Sequence, residues 1–386
     1  MLSSLLGIDM AGDLLADRLD AAVARGLLER GPAHRIALAV RLASVLSDAG
    51  EAAPFLSGQE CGRLLGVSRA AVHKHVEHLR SLGFAIASVV GAGYRLERPF
   101  TDLVAAEAVL PFLLERADPE TSWVAGLPYR YVAACGSTNQ VLKQTAASSP
   151  SGAAVVADEQ NGGRGRLGRT WVAQAGKDLT FSVLLRPSVT PVQAHLLSLA
   201  AALAVAETLE TIPGLGGRVG IKWPNDVLLG DKKVCGILLE GSMDVDRLQW
   251  AVAGVGLNVN SDPAALMSHL GLQAAGEWLG RPRPTSLRTE IGRDLPRAPL
   301  LAALLARLTE RWAGLETAGL LAGLRKRDLL AGRRVEVLSG PPHNEPVVAG
   351  TASGIGPEGQ LLVRTGAGET VAVFAGDVTM GRVAGP

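Results

Sequence analysis

Apolar positions in the first hundred residues fall first at helical and then at strand spacing. Val72, Val76 and Leu79 recur at i, i+4 and i+7, which predicts one buried stripe on a helix over Arg69 to Leu82. Ser68 stands where a hydroxyl can answer an orphan backbone N–H, and Gly83 ends the helix. A shorter helix is predicted from Gly58 to Leu65, with Cys61, Leu64 and Leu65 inward and Gly66-Val67 as the turn between the two. Phe84 to Val90, the turn Gly91-Ala92-Gly93 and Tyr94-Arg95-Leu96 read as a small hairpin. Upstream, Leu14, Leu15, Leu19 and Val23 mark one amphipathic helix in an extension over residues 1–33.

Further on the periods alternate. Strands are predicted over Ala153 to Ala157, Leu179 to Leu185, a segment ending at Lys222, Val227 to Leu229, Lys232 to Glu240 and Val252 to Asn260. Helices are predicted over Asp102 to Arg116 in a linker from Pro99 to Pro128, over the alanine-rich Gln193 to Leu209, and over Leu300 to Trp312. After Gly332 come four short strands, Arg333 to Leu338, Val347 to Ala349, Leu361 to Val363 and Thr370 to Phe374, parted by Gly and Pro turns. They predict a small β-barrel. The chain is therefore expected to be α/β (α+β), in four parts: 1–33, 34–98, 99–328 and 329–386.

Helix, turn, helix and hairpin over 57–96 form the pattern of a winged helix-turn-helix. Charge adds to it: from Gly58 to Arg98 six Lys or Arg face three Asp or Glu, an excess that suits phosphate contacts. Ser68, Arg69, His73 and Lys74 are the candidate DNA-facing residues, with Arg80 on the same side. His73, His75 and His78 are spaced too unevenly to share a metal and read as solvated or DNA-facing.

Composition sets bounds. With 386 residues, 47% of them hydrophobic and 19% charged, the chain can bury two or three cores. A net charge of +1 leaves no global field for nucleic acid, so any basic surface is local. The three cysteines, Cys61, Cys135 and Cys235, are scattered and imply neither a disulfide frame nor a metal site; a reducing cytoplasm is expected. Asp9 and Asp13 precede any Lys or Arg, unlike a signal peptide. The apolar tract Leu196 to Ala206 is too short to span a bilayer.

The densest chemistry lies in Gly162 to Arg169, where four glycines and three arginines fill eight residues. Backbone N–H groups and guanidinium forks both match phosphate and carboxylate oxygens. Gly163-x-Gly165-x-x-Gly168 satisfies the dinucleotide fingerprint spacing, yet that fingerprint also needs a helix to open and an acid about 20 positions on. Neither follows here: the chain runs to Trp171 and closes at Gly176. The loop reads instead as a lid for an anionic ligand. Downstream, Lys222-Trp223-Pro224-Asn225-Asp226 places a lysine on a corner, since the residue before proline avoids the helical region. Gly236 in the next strand offers room for a ligand.

The series Ser137-Thr138-Asn139, Gly163 to Trp171, Lys222 to Asp226, Gly236-Ile237-Leu238 and Gly254 to Asn258 resembles the biotin–protein ligases, with all five signatures in order over residues 131–260. Ser68 to His75 resembles the start of the recognition helix in those members that also repress biotin synthesis. The resemblance implies a central mixed sheet like that of class II synthetases, a C-terminal SH3-like barrel, and an enzyme that uses ATP to form biotinyl-5′-adenylate and transfers biotin to a lysine of a biotin carboxyl carrier protein. Catalytic residues so implied are Lys222, Arg164 and Arg166. Biotin contacts would come from Ser137, Thr138, Asn139, Gln160, Arg164, Gly165, Arg166, Lys222 and Gly236, and nucleotide contacts from Arg169, Trp171 and Asn258. Biotin, ATP and Mg2+ are the expected ligands, with operator DNA and a second copy of the chain as further partners, and no protein-held metal or membrane. Two alternatives stand beside it. Lipoate ligases share the chemistry but carry a different glycine-rich stretch, and a regulator could keep such a domain only to sense a small molecule.

Overall fold

The computed structural model describes residues 13–49, 54–118, 121–244, 247–269, 281–313, 315, 317–338 and 346–380. Its contacts divide the chain into two compact units, Met1–Tyr131 with Pro296–Ala306, and Val132–Leu295 with Arg307–Pro386.

The first unit holds α1 (Asp13–Ala24), α2 (Arg30–Ala49), α3 (Gly58–Leu65), α4 (Arg69–Ser81), the antiparallel hairpin β1 (Ile86–Val89) and β2 (Gly93–Leu96), and α5 (Ala106–Arg116). Leu19 and Ala22 of α1 are buried; residues 1–12 and the Leu14 side chain lie outside the described residues. The division expected between residues 33 and 34 falls inside α2. Ser57 caps α3 by accepting from Glu60 N, and Ser68 caps α4 by accepting from Ala71 N at 3.2 Å. Val72, Val76 and Leu79 are fully buried, so the stripe read from the sequence is the one that packs.

Several expectations fail here. Leu64 does not face inward but is 50% exposed. The inner side of this two-turn helix is Gly58, Cys61 and Gly62, and a Cβ on Gly62 would stand 2.7 Å from Val67 O. Arg80 is drawn off the outer face, donating from Nε (2.9 Å) and Nη2 (2.8 Å) to Ile86 O. The histidines divide: His73 is exposed, His75 meets the His34 ring edge-on at 5.8 Å, and His78 lies 3.7 Å from Glu107. The segment expected as a linker contains a core helix, because α5 is buried from Glu107 to Leu114. It begins at Ala106 rather than Asp102, whose carboxylate instead accepts from Arg297 at 3.1 Å.

Next come β3 (Tyr129–Cys135), α6 (Thr138–Lys143), β4 (Ala154–Gln160), β5 (Leu179–Leu185), α7 (His195–Glu210), β6 (Val219–Lys222), β7 (Asp226–Leu229), β8 (Lys232–Met243) and β9 (Leu248–Leu257). The chain continues through α8 (Pro263–His269), α9 (Leu287–Ile291), α10 (Arg297–Ala313) and α11 (Thr317–Lys326) to β10 (Arg334–Leu338), β11 (Pro346–Ile355), β12 (Leu361–Thr365), β13 (Thr370–Val373) and β14 (Asp377–Met380). Seven strands form one sheet in the order β3-β4-β5-β9-β8-β7-β6, and the pairs from β4 to β6 are antiparallel. Every residue of β5, an interior strand, is buried. Helix α7 packs across β6 to β9, and α6 against β4, β5 and β9. By length and composition Pro191–Glu210 could cross a bilayer, yet 72% of its apolar window is buried in this core.

The C-terminal strands form one antiparallel sheet, β13-β12-β11-β10-β14. The sequence reading missed β14, which has only four residues. This sheet belongs to the same compact unit as the seven-stranded one. Leu329 N donates to Ile221 O at 3.0 Å and Ile221 N donates to Arg327 O at 2.7 Å, which covers the β6 edge. Trp223 is fully buried and donates from Nε1 to Gly359 O at 3.0 Å. The residue beside Lys222 is thus anchored in the turn between β11 and β12. Trp223→Ala should lower the stability of this unit by about 3–5 kcal/mol, read from urea denaturation; a loss under about 1 kcal/mol would show that the anchor is dispensable.

Candidate active site

Between β4 and β5 the loop folds on itself as a tight hairpin. Trp171 N donates to Gly163 O at 3.0 Å and Gly165 N to Arg169 O at 2.7 Å. A Cβ on Gly163 would stand 2.3 Å from Trp171 O, so the strands of the hairpin can cross only at glycine. At its tip Leu167 takes φ 58°, the one left-handed non-glycine among the described residues, a conformation costing of order 1–3 kcal/mol. Only a single 3-10 turn, Arg166–Gly168, forms. No helix opens, and the dinucleotide reading is excluded on geometry.

Trp171 leaves this hairpin and lies on the sheet. A Cβ on Gly256 would stand 2.2 Å from its ring, and one on Gly236 3.0 Å. Gly236 therefore makes room for Trp171 and the Lys233 side chain rather than for a ligand directly. Lys233 Nζ sits 5.6 Å from the indole centroid, within cation–π range. Two buried polar atoms nearby have no partner, Trp171 Nε1 and Asn258 Oδ1, although Asn258 Nδ2 donates to Thr285 O at 2.9 Å. Buried groups of this kind are rare in a finished core.

Lys222 ends β6 opposite Asp226, which opens β7. The lysine is 4% exposed. Burial pushes its ammonium below the usual lysine range, and Asp226 and Asp377 act against that. Asp226 is shared: Lys233 Nζ is 2.7 Å from Oδ1 and Lys222 Nζ 3.9 Å from Oδ2. Burial works to raise the Asp226 carboxyl, but the two ammoniums outweigh it and hold it below the usual range. Arg166 donates to Asn225 Oδ1 at 3.3 Å, which brings the loop to the Lys222 corner. Arg169 grips Asp377 of β14 with both Nη atoms. Arg164 is exposed and faces the Gln140 amide, 2.9 Å from its oxygen when that oxygen accepts.

The third cluster starts α6. Ser137 occupies the N-cap position without a side-chain cap bond. Thr138 donates from N to Gln160 Oε1 at 2.9 Å, and its hydroxyl lies 2.7 Å from Ser182 Oγ. Asn139 is committed to protein on both ends: Oδ1 accepts from Ser182 at 2.6 Å and Nδ2 donates to Glu240 at 2.7 Å. Gly254 makes the room, since its Cβ would stand 2.2 Å from Asn139 Oδ1.

Two adjoining cavities result. One, of about 730 Å³, is lined by Ser137, Thr138, Asn139, Gln160, Arg164, Gly165, Arg166 and Gly236 among others. The second, of about 1040 Å³, is lined by Lys222, Asn258, Arg281, Pro282 and Pro284. Arg169, Thr170, Trp171, Asp226, Lys233 and Asp377 line both. Every catalytic, biotin and nucleotide candidate named from the sequence thus lines one or both cavities. Arg69, His73 and Lys74 are exposed on α4 of the other unit, while Ser68 is engaged as a cap. Sequence reasoning missed Lys233, Asp377, Ser182 and Glu240. Lys233 stood beside Lys232 at a strand start with no sign of which faced inward, and Asp377 lies more than 200 positions from Arg169.

Residues 131–258 match the model of the Biotin/lipoate A/B protein ligase family, and residues 50–95 that of an HTH domain. The bifunctional ligase/repressor BirA of Bacillus subtilis (strain 168) is 32% identical over 346 residues, 88% of this chain and 98% of its own length. The bifunctional ligase/repressor BirA of Escherichia coli (strain K12) is 32% identical over 312 residues, covering 80% and 88%. Among solved structures, the biotin protein ligase from Aquifex aeolicus in complex with biotin and ATP is similar at a TM-score of 0.52 and 29% identity, over 65% of this chain and 97% of that one. With this site and these relatives, the chain belongs to the biotin–protein ligase family, as a biotin–[acetyl-CoA-carboxylase] ligase that carries a helix-turn-helix DNA-binding domain.

Proposed function

We propose that the first cavity takes biotin, the second takes ATP, and the shared wall is where biotin's carboxylate meets the α-phosphate. The carrying observation is the convergence of Lys222, Arg166, Arg169 and Lys233 where the two cavities adjoin. A carboxylate and a triphosphate repel each other, so bringing them together requires fixed cations in a site poor in water.

A biotin carboxylate oxygen attacks the α-phosphorus, the bond to the bridging oxygen breaks, and diphosphate leaves. Lys222 stands between the carboxylate and the α-phosphate. Arg166 steadies the same oxygens, and Arg164 draws the loop over biotin. Ser137, Thr138, Gln160 and the backbone at Gly165 hold the ureido ring and tail, with Asn139 supporting them from behind. Trp171 packs against the adenine, Asn258 Oδ1 accepts a hydrogen bond from the nucleotide, and Arg169 meets its phosphates. In the second step the amine of an acceptor lysine attacks the biotinyl carbonyl carbon, AMP departs, and an amide forms. The acceptor is a biotin carboxyl carrier protein.

Magnesium arrives with ATP. Among the described residues no group of three or more His, Cys, Asp or Glu could hold a metal. The acids at the nucleotide cavity, Asp226 and Asp377, are ion-paired.

The helix-turn-helix reads operator DNA through α4, with Arg69, His73 and Lys74 toward the duplex. Ser68 fixes the helix start. The adenylate favours a homodimer, which sets two such helices on a two-fold operator. The parts we assign are 34–98 to DNA binding, 99–328 to ligation and 329–386 to closing the nucleotide side, in the cytoplasm.

ATP-dependent transfer of labelled biotin to a carboxyl carrier protein tests the enzyme reading. Lys222→Ala should lower it at least about a hundredfold while the circular dichroism spectrum is kept; near-normal transfer would refute the assignment. Arg69→Ala and Lys74→Ala should weaken operator binding, each flattening the log–log salt slope by about 0.9 per lost phosphate contact, and spare ligation. Unchanged binding in both would remove α4 as the reading helix.

A further inference from the structure

We infer that Glu240, Asn139 and Ser182 form a one-way hydrogen-bond relay that turns the Thr138 hydroxyl into an acceptor facing the cavity, and so select a ligand presenting an N–H there. This rests on the first cavity being the biotin pocket, and it assigns specificity to residues behind the pocket wall.

The direction follows from counting protons. Glu240 is paired with Lys143, and although burial works to raise its carboxyl, hydrogen bonds from Lys143 and Asn139 hold it below the usual range. It is therefore an acceptor only. Asn139 Nδ2 must donate to it, as it does at 2.7 Å, with Leu238 O as a second acceptor at 3.3 Å. That fixes the amide, and Asn139 Oδ1 faces Ser182 Oγ at 2.6 Å. An amide oxygen cannot donate, so the single Ser182 proton is taken. The 2.7 Å contact from Ser182 Oγ to Thr138 Oγ1 then has one proton left to use, that of Thr138. Thr138 directs its proton inward and leaves a lone pair toward the cavity it lines. Its other neighbour, Gln160 Oε1, is farther at 3.2 Å and already accepts from Thr138 N at 2.9 Å.

The same logic orients Gln160. With its oxygen held by Thr138 N, its NH2 end is turned away, toward Gly163. The cavity wall thus presents an acceptor at Thr138, the complement of a ligand N–H. A cyclic urea carries such an N–H; a dithiolane ring does not. Ser182 is fully buried and Thr138 and Asn139 are each 3% exposed, so water cannot supply a substitute proton at low cost.

Glu240→Gln tests it in the full-length chain. A glutamine at 240 can donate, so Asn139 can turn over, the protons run the other way, and Thr138 points its proton at the ligand N–H. By calorimetry, biotin and desthiobiotin, which keeps the ureido ring, should both bind about 10–100-fold more weakly, with ATP affinity unchanged. Ser182→Ala should weaken biotin as well, and adding Glu240→Gln to it should cost little more, because the relay is already cut. Lys143→Met, assayed well above the carboxylate range so that Glu240 stays ionised without its partner, leaves the acceptor in place and should keep wild-type biotin affinity. Thr138→Val separates the two layers. If it weakens biotin while Glu240→Gln does not, the relay is wrong and the pocket stands. If Thr138→Val also leaves biotin binding unchanged, the pocket assignment itself falls. A Lys143→Met loss equal to that of Glu240→Gln would overturn the relay in favour of simple charge.

Discussion

A lysine ammonium out of water is unstable unless something compensates it, and Lys222 is 4% exposed. Much of the second unit is arranged around that constraint. Asp226 faces it across a three-residue turn, Lys233 shares the same carboxylate, and Trp223 locks the corner into the C-terminal sheet. The cluster retains more cation than anion once Arg166 and Arg169 join it. That excess suits an anionic ligand, and Trp171 Nε1 and Asn258 Oδ1 lie buried beside it without a protein partner.

The loop and the sheet under it solve a second problem, which is access. Glycines at 236, 254 and 256 keep one patch of β8 and β9 free of side chains, so that Trp171 and Asn139 can lie close to the backbone. Asn139 then lines the first cavity, and Trp171 lines both. The C-terminal sheet reaches the cavities through Asp377, which grips Arg169 at the shared wall, and through Val378.

Much of this was legible in the residues. Periodicity located α4 and β5, because a buried stripe and a fully buried interior strand leave strong signals. The signature runs located the cavity linings, because they are continuous in sequence. What could not be read depends on tertiary partners. Arg80 looks like a DNA contact until Ile86 O captures it, and α5 looks like a linker until its packing is seen. Asn139 lines the first cavity as its motif suggested, but the motif does not reveal that both ends of its amide are engaged by protein. Ser182 and Glu240 carry no motif at all; only the fold brings them behind Thr138.

The account turns on biotin and ATP reacting at the shared wall before any acceptor arrives. Biotin-dependent exchange of labelled pyrophosphate into ATP measures that step alone. The account predicts exchange with biotin and ATP present and no carrier protein. Absence of exchange under those conditions, in a chain that binds both ligands, would contradict it.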